Sequence, residues 1–255
     1  MKSKRYKMKA LITGASSGIG KDIAKELSKK GYELILVARD LEKLKKLKTE
    51  IQTKAEIVSM DISKIENCNI LHDKYKDIDI LVNNAGFGDL GYFTDTSLEK
   101  EIKMINTNIV GCHVLTKLYL KDMKEKDNGI ILNVASIGGF MPGPLMATYY
   151  STKSYIVRLS ESIREELKKE KSKVQISILC PGPVNTNFNK VANVQFALKG
   201  LRSEYVAKYT VKKLLKGKFY IVPGWKTQFA KACIKLAPNA LTAKIAYKMQ
   251  KKKTD

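Results

Sequence analysis

The sequence predicts an α/β fold: a doubly wound parallel sheet of about seven strands in a single domain, followed by a C-terminal helical appendix. Two observations lead to this fold class. Short apolar runs typical of strands alternate with segments of helical periodicity along most of the 255 residues, and repeated βα units build parallel sheets through right-handed crossovers. In addition, a glycine-rich turn joins the first predicted strand to the first predicted helix.

The predicted strands are short apolar runs, as expected for a sheet that helices cover on both faces. They span residues 10–12, 33–38, 56–60, 78–83, 129–134, 174–179 and 219–222. Helices are predicted where apolar side chains recur every three or four residues. The first follows the glycine-rich turn, and the others span residues 41–52, 65–75, 98–121 and 147–169, with Ser97 as an N-cap. No linker interrupts the chain before Pro223, so we expect a domain over residues 1–223 and an appendix over 224–255.

The composition is strongly basic, with 47 Lys and Arg against 25 Asp and Glu, a net charge of +22. Such a charge attracts nucleic acid, anionic lipid or acidic metabolites, but no nucleic-acid-binding motif accompanies it. Most of this charge is typical of solvated, lysine-rich helix faces. No run approaches the roughly 18 apolar residues of a membrane span, and no signal-peptide core follows the basic N-terminus. We therefore expect a cytoplasmic protein without a metal site, with its four cysteines buried.

Residues 13–20, Thr-Gly-Ala-Ser-Ser-Gly-Ile-Gly, form the glycine-rich turn. Glycine is used where the backbone turns sharply or where a ligand must approach it closely. The N-terminus of the following helix offers unpaired N–H groups and the positive end of a dipole, which suit a pyrophosphate. Taken alone, this stretch is also compatible with an ordinary helix N-cap in a βα loop.

Six predicted strands end in small, polar or glycine residues, and ligands of doubly wound sheets bind beyond these carboxyl ends. Besides the glycine-rich turn, the strand ends carry Arg39-Asp40, Asp61-Ile62, Asn83-Asn84-Ala85-Gly86, Ala135-Ser136 and residues 181–186. A purely structural fold has no reason to place such residues at all six ends. The pattern therefore predicts a ligand site at this edge of the sheet.

Tyr149 and Lys153 begin the helix after the fifth strand, and residues four apart share a helix face. A lysine ammonium beside a tyrosine favours the phenolate and lowers its pKa from about 10. Ser136, at the end of the preceding strand, gives this pair a polar setting. Tyr150 lies about 100° further around the helix and is expected to point elsewhere.

Taken together, these motifs resemble those of the short-chain dehydrogenase/reductase family from Met8 to Val222. The matching motifs are Thr13-Gly14-x-x-x-Gly18-Ile19-Gly20, Asp61, Asn83-Asn84-Ala85-Gly86, Asn108 within residues 106–111, Ser136, Tyr149-x-x-x-Lys153 and Pro181-Gly182-x-Val184-x-Thr186. The resemblance implies a Rossmann-type fold and an NAD(P)-dependent oxidoreductase that interconverts a carbonyl and an alcohol by hydride transfer. The alternative is a non-enzymatic NAD(P)-binding scaffold or sensor, which the intact catalytic residues disfavour.

The resemblance also implies the roles of the site residues. Tyr149 is the general acid/base, and Lys153 holds the nicotinamide ribose and lowers the tyrosine pKa. Ser136 hydrogen-bonds the substrate oxygen, and Asn108 holds a water in a proton relay. The expected cofactor contacts are Gly14, Ser16, Ser17, Gly18, Ile19, Gly20, Arg39, Asp61, Ile62, Asn84, Ala85, Gly86, Tyr149, Lys153, Pro181, Gly182, Val184 and Thr186.

We expect NADP(H) to be preferred over NAD(H). An acidic side chain at the end of the second strand would bind the adenosine ribose and repel a 2′-phosphate. That position is Ala38, and the guanidinium of Arg39 after it can clamp a phosphate. Asp40 weighs against this preference, because a shift of one residue in the strand end would bring its carboxylate closer. The glycine-rich turn also lacks a basic residue.

The substrate is expected to be an apolar carbonyl or alcohol compound. Apolar side chains occur in the segments expected around the nicotinamide and in a candidate lid after Thr186: Phe87, Phe93, Phe140, Met141 and Met146, then Phe188, Val191, Val194 and Phe196. Alternatively, several of them pack the loop onto the sheet. The resemblance further implies a homodimer or homotetramer through the helices over residues 98–121 and 147–169.

The appendix lies outside the family motifs and predicts two helices. The first carries Trp225, Phe229, Cys233 and Leu236 at helical spacing and ends before Pro238. The second is capped by Asn239, and its apolar stripe and lysines are Leu241, Ile245 and Met249 with Lys244, Lys248, Lys251, Lys252 and Lys253. A basic amphipathic helix suits peripheral contact with an anionic membrane. The competing interpretation is a helical pair packed over the substrate cleft or a subunit interface.

Overall fold

A computed structural model describes residues 7–186, 188, 192 and 200–251. Its main sheet has seven parallel strands in the order β3-β2-β1-β4-β5-β6-β9, which confirms the predicted doubly wound α/β fold. The strands in the described part of the chain are β1 (Lys9–Thr13), β2 (Glu33–Ala38), β3 (Ala55–Ser59), β4 (Ile80–Asn83), β5 (Ile130–Val134), β6 (Gln175–Leu179), β7 (Val184–Asn185), β8 (Leu201–Arg202) and β9 (Tyr220–Ile221). The short strands β7 and β8 pair with each other beside the main sheet, and the sequence did not indicate them.

The strand order reverses next to β1, which pairs with β2 on one side and with β4 on the other. The connections after β1 and β2 run toward one edge of the sheet, and the connection after β3 returns past β1 to β4, from which the chain runs toward the other edge. Such a reversal leaves a crevice at the carboxyl ends of the strands, because the two adjoining connections leave on opposite faces. Thr13 and Asn83 end the two strands that border this crevice.

Helices cover both faces of the sheet and give it two hydrophobic layers. The helices are α1 (Gly18–Lys29), α2 (Leu41–Thr49), α3 (Ile65–Lys74), α4 (Leu98–Ile105), α5 (Cys112–Glu125), α6 (Ala147–Lys169), α7 (Ser203–Leu214), α8 (Trp225–Leu236) and α9 (Asn239–Lys251). Side chains of α1, α2 and α7 fill one layer. Side chains of α3, α5 and α6 fill the other. The strands between them are buried on both sides, which explains their continuous apolar runs.

The single helix predicted over residues 98–121 is interrupted. It begins after Ser97, whose side chain accepts the predicted capping hydrogen bond from the Lys100 N–H at 3.3 Å. A π-helical turn, Asn106–Gly111, separates α4 from α5, which runs on to Glu125. Within α4 and within α5 the apolar residues keep α-helical spacing, so the spacing in each flank does not reveal the turn between them. Such turns are frequent at functional sites.

The C-terminal appendix forms two helices, as predicted, and each leaves apolar side chains exposed. Helix α8 ends at Leu236, before Pro238, and Cys233 on it is exposed rather than buried as expected. Helix α9 begins at Asn239 itself, and the Pro238 carbonyl, not an asparagine cap, accepts its first hydrogen bonds. No helix in the described ranges is long and apolar enough to span a bilayer. The division of the chain at residue 223 stays a prediction.

Candidate active site

A cavity of about 630 Å³ opens at the carboxyl ends of the strands, at the reversal of strand order. Its walls come from the segments after β1 to β6 and from the helices α6 and α9. The cavity therefore lies at the sheet edge where the sequence predicts a ligand site.

The glycine-rich turn forms one wall through left-handed backbone that only glycine adopts easily. Gly14 and Gly18 have φ values of +65° and +54°, and a Cβ on Gly14 would lie 2.8 Å from the Ala85 Cα. Ser17 precedes α1 without making a side-chain capping bond to it within the described chain, so the first N–H groups of the helix lie beside the cavity. The turn therefore provides the unpaired donors and the close approach that an anionic ligand requires.

Thr13 and Asn84 bind the glycine-rich turn to the end of β4. The Thr13 hydroxyl accepts hydrogen bonds from the N–H groups of Asn84 and Ala85 at 3.1 and 3.2 Å. The Asn84 amide donates to the carbonyls of Thr13 and Gly14, both at 3.1 Å. Gly20 lies beneath this contact, since a Cβ there would be 2.2 Å from Asn84 Nδ2. The polar groups of two strand ends thus hold one rigid rim.

The end of β2 places basic side chains at the cavity. The strand ends at Ala38, and Arg39, Asp40 and Lys43 line the wall after it. Asp40 caps α2, accepting from the Lys43 N–H at 3.0 Å and from the Lys43 ammonium at 2.5 Å. These contacts with Lys43 hold the pKa of Asp40 below its usual value. The Asp40 carboxylate, which would repel a phosphate, is therefore paired with the Lys43 ammonium. Lys43 was not predicted for the site.

Tyr149, Lys153 and Ser136 converge on the same wall of the cavity. The buried Lys153 ammonium lies 5.8 Å from the centre of the Tyr149 ring and donates to the Val134 carbonyl at 2.9 Å. Burial lowers the pKa of Lys153 to about 8. Ser136 accepts from the Gly138 N–H at 3.1 Å, so it caps the turn after β5 while its hydroxyl also bonds the Tyr149 phenol.

The predicted lowering of the Tyr149 pKa is not found in the protein alone. Burial raises the pKa of Tyr149, and the hydrogen bond from Ser136 offsets only part of that increase. The physical reason is the surroundings of the phenol: it is partly buried among apolar side chains, and the Lys153 ammonium is directed to the Val134 carbonyl. The neutral phenol is therefore the stable form in the unliganded chain.

Asn108 lies on the π-helical turn and is buried behind the wall that carries Tyr149 and Lys153. Its side chain holds the backbone of Phe87, accepting from the N–H at 3.1 Å and donating to the carbonyl at 2.9 Å. It also donates to Thr152 Oγ1 at 3.0 Å. A Cβ on Gly86 would touch both Asn108 Oδ1 and Lys153 Nζ, at 2.9 and 3.4 Å, so Asn108 lies next to the lysine. The relay water stays a prediction.

The far end of the cavity is apolar. Phe87, Met141, Met146 and Phe188 line it, as expected. Phe93 and Phe140, expected there as well, do not: Phe93 is exposed, and Phe140 packs against Tyr220 in the core. Val191, Val194 and Phe196 lie outside the described residues.

Tyr150 lines this end too, contrary to expectation. Its ring meets Tyr149 edge-on with 6.0 Å between centres, and its hydroxyl accepts a hydrogen bond from Gln250 of α9 at 2.7 Å. Gly143 makes room for the ring, because a Cβ there would lie 2.1 Å from it. The loop before α6 and the helix α9 thus enclose Tyr150 within the cleft wall.

Of the predicted catalytic and cofactor-binding residues, only Gly20 and Asn108 do not line the cavity, and both lie directly behind it. The sequence analysis missed part of the lining: Lys43, Met60, Thr107, Tyr150, Ala246, Met249 and Gln250. Except for Met60, which directly follows β3, these residues stand on helices, where position in the sequence gives no sign of proximity. In the described ranges, no cluster of His, Cys, Asp or Glu side chains is arranged to hold a metal ion.

A family model described as short chain dehydrogenase matches residues 8–195. The chain belongs to the short-chain dehydrogenase/reductase family. This result confirms the resemblance carried by the motifs, and it makes the protein an oxidoreductase of that family. The described residues carry the motifs in the predicted places, from the glycine-rich turn to the segment after β6.

Two relatives of this chain differ in how much of their own length it covers. An uncharacterized oxidoreductase of Staphylococcus epidermidis is 35% identical over 69% of this chain and 78% of its own. A very-long-chain 3-oxoacyl-CoA reductase of Rattus norvegicus is 34% identical over 63% of this chain and 55% of its own. The chain therefore spans about half the length of that reductase.

Solved structures show the same fold at low identity. A short-chain dehydrogenase from Sphingobium yanoikuyae in complex with NADPH aligns with a TM-score of 0.82, 24% identity and coverage of 92% of this chain and 95% of the other. A short-chain dehydrogenase/reductase from Burkholderia phymatum in complex with NAD aligns with a TM-score of 0.79, 23% identity and coverage of 90% and 92%. At this identity the likeness supports the fold alone.

Proposed function

We propose that the protein interconverts a carbonyl and an alcohol with a nicotinamide dinucleotide, using Tyr149 as the general acid/base. The observation that carries this proposal is the convergence of Tyr149, Ser136 and Lys153 on one cavity wall, between the glycine-rich rim and the apolar end. The cofactor's adenosine and phosphates would lie along the rim. The substrate would lie beside the phenol.

The cavity fits a dinucleotide on its own geometry. Gly14 and Gly18 leave space that any Cβ would fill, and the N-terminus of α1 points positive dipole charge at a pyrophosphate. A bound nicotinamide cofactor supplies or accepts the hydride. Around it, Lys153 would hold the ribose, and residues 181–186 would contact the carboxamide.

The chain's own residues would handle the proton. In carbonyl reduction the Tyr149 phenol donates its proton to the substrate oxygen, while the Ser136 hydroxyl donates a hydrogen bond that orients the same oxygen. In alcohol oxidation the phenolate accepts that proton. A protonated Lys153 and the positive charge of the oxidised cofactor would both favour the phenolate, offsetting the burial that raises the Tyr149 pKa.

Replacing Tyr149 by phenylalanine tests this role. We expect Tyr149→Phe to lower kcat by about 10²–10⁴-fold, because the hydroxyl that moves the proton is gone, while calorimetry gives an unchanged affinity for the cofactor. The control is Tyr155→Phe, the same change at an exposed tyrosine of the same helix. Turnover of Tyr149→Phe at the wild-type rate on its best substrate would show that another group is the acid.

We further propose a preference for NADP(H). Arg39 and Lys43 line the wall where the 2′-phosphate would lie, and Lys43 already neutralises Asp40. Charge-assisted hydrogen bonds contribute about 1.5–3 kcal/mol each, so Arg39→Ala should weaken NADPH binding by about 10–100-fold and leave NADH binding unchanged. Lys45→Ala is the control, since Lys45 pairs with Glu42 on the exposed face of α2. Tighter binding of NADH than NADPH by the wild-type protein would contradict the preference.

We propose an apolar substrate from the composition of the far end. Met141, Met146 and Phe188 surround the space beside Tyr149, and Tyr149 packs on the Phe188 ring with 5.3 Å between centres. Burying one methylene contributes about 0.8 kcal/mol, so kcat/KM should rise by about fourfold for each carbon added to a homologous ketone series. The assay follows reduced-cofactor absorbance. Short polar sugars outperforming aliphatic and aromatic ketones would count against this assignment.

We also propose a homodimer or homotetramer formed through α4, α5 and α6. Exposed apolar side chains on these helices support it: Leu98, Ile102 and Tyr155. Light scattering at micromolar concentration should give a multiple of the chain mass of 28.6 kDa. Ile102→Glu should reduce the mass to one chain. A monomeric wild-type protein would refute this proposal without affecting the chemistry at Tyr149.

A further inference from the structure

We propose that the outer sides of α8 and α9 dock onto the surface of an anionic lipid bilayer. The docking face is defined by five exposed apolar residues: Trp225, Phe229 and Leu236 on α8, with Leu241 and Ile245 on α9. The exposed fractions of Trp225, Phe229 and Leu236 are 73%, 68% and 89%. Large apolar side chains that stand together on the water-exposed side of a helix mark an interaction surface.

The orientation of α8 is the reverse of that in an ordinary surface helix. Such a helix turns its apolar stripe to the core, but Trp225, Phe229 and Leu236 fall within about 40° of one another on the side facing solvent. No residue of α8 is buried. Lys226 and Lys235 stand on the two flanks of the stripe, about 80–100° from its centre. An apolar stripe bordered by lysines suits the boundary between headgroups and acyl chains.

Helix α9 uses its two sides differently. Thr242, Ala246 and Gln250 are buried, and the last two line the cavity. Leu241 and Ile245 are half exposed on another side, next to the exposed Lys244 and Lys248. The helix therefore covers the cleft, as one interpretation of the sequence expected, without burying its apolar stripe. Covering the cleft and docking are compatible because they use different faces.

Charge decides between a bilayer and a second copy of the chain. The two helices carry Lys226, Lys231, Lys235, Lys244, Lys248 and Lys251, and neither helix contains an Asp or Glu. A second copy would bring the same positive face against itself, and like charges in contact oppose association. An anionic bilayer is complementary, and each lysine near its surface contributes about 1 kcal/mol. Trp225 adds an aromatic side chain of the kind enriched at membrane interfaces.

Trp225 is the only tryptophan in the chain, so its fluorescence reports on the docking face directly. The full chain is mixed with vesicles of phosphatidylcholine alone or with about 30% phosphatidylglycerol, and binding is also measured by flotation. We expect a blue shift and co-flotation only with the anionic vesicles. Raising the salt from about 50 to 500 mM should reverse both, because it screens exposed charges.

The variant Phe229→Glu/Leu236→Glu should weaken vesicle binding by at least about tenfold, since two carboxylates would face the headgroups. The control is Ile70→Glu, the same change at an exposed apolar residue of α3. Circular dichroism and cofactor affinity check that each variant is folded. Neither readout requires turnover, so the result is independent of the function proposed for Tyr149.

Three outcomes would overturn the proposal. The first is an unshifted spectrum, with all protein left at the bottom of the flotation gradient. The second is equal binding to neutral and anionic vesicles, which would remove the role of the lysines. The third is a blue shift that grows with protein concentration without vesicles, together with a rise in mass that Phe229→Glu/Leu236→Glu abolishes. That result would assign the face to a second copy of the chain.

Discussion

Lys153 is a buried cation, and we expect its burial to reduce the stability of the unliganded protein. Burial lowers its pKa to about 8, whereas the unfolded value is about 10.4. Between these values the unfolded chain binds more protons than the folded chain, so the Lys153 contribution to the free energy of unfolding rises with pH. Relative to Lys153→Met, the wild-type protein should gain roughly 3 kcal/mol across this window.

Denaturant unfolding of both proteins between pH 7 and 10.5 measures this difference. Lys117→Met is the control, because water solvates the exposed Lys117 ammonium in both states and the difference should stay flat. A difference between wild type and Lys153→Met that is constant with pH would mean that the lysine is neutral, or solvated, throughout. The expected gain would show that the buried Lys153 ammonium lowers the stability of the unliganded fold, as is common for residues kept for function.

At Tyr149 the neutral phenol is favoured, because burial raises its pKa. Carbonyl reduction uses this form, so kcat/KM for reduction should be flat near pH 7. Alcohol oxidation needs the phenolate, so its kcat/KM should rise with pH, up to tenfold per pH unit. Ser136→Ala removes the hydrogen bond that lowers the Tyr149 pKa, so the rise of kcat/KM for oxidation should occur at higher pH. If this rise occurs at the same pH in Ser136→Ala as in the wild type, a group other than Tyr149 titrates.

At the scale of elements, α9 completes the substrate wall through Gln250. The Gln250 amide donates to the Tyr150 hydroxyl at 2.7 Å. We expect Gln250→Leu to raise KM for the carbonyl substrate by about fivefold, the loss of one net hydrogen bond, with kcat and cofactor affinity little changed. Lys244→Leu, on the exposed side of α9, is the control. A fall in kcat without a change in KM would instead place Gln250 in the chemistry.

The elements differ in how far the sequence predicts them. The strands β1 to β6 and their polar ends follow from local patterns, because a buried strand is apolar throughout and its ligand-binding residues come directly after it. The π-helical turn at Asn106–Gly111 is not predicted by such a pattern, because the apolar residues in the helices on either side of it keep α-helical spacing. Tyr150 was misplaced for a tertiary reason: the loop before α6 and Gln250 enclose it, and neither contact is local.

For the whole molecule, the net charge of +22 predicts that salt stabilises the fold. Exposed ion pairs contribute only about 0–1 kcal/mol each, and most pairs here are exposed. Repulsion among unbalanced lysines opposes the compact state and is screened by salt. The Tm should therefore rise by several degrees between about 50 and 500 mM NaCl. A falling Tm would mean that the ion pairs dominate.

The cavity is lined by the turn after β1, near the start of the chain, and by α9, near its end. This arrangement has a consequence for the order in which the cavity forms during synthesis. The contact between Thr13 and Asn84 needs only the first third of the chain, whereas Gln250 reaches Tyr150 across 100 residues. A growing chain can therefore form the glycine-rich rim early, but the opposite wall of the cavity stays open until α9 has been translated. Nascent chains halted before Asn239 should already carry the first contact and lack the second, so the two halves of the cleft mature in a fixed order.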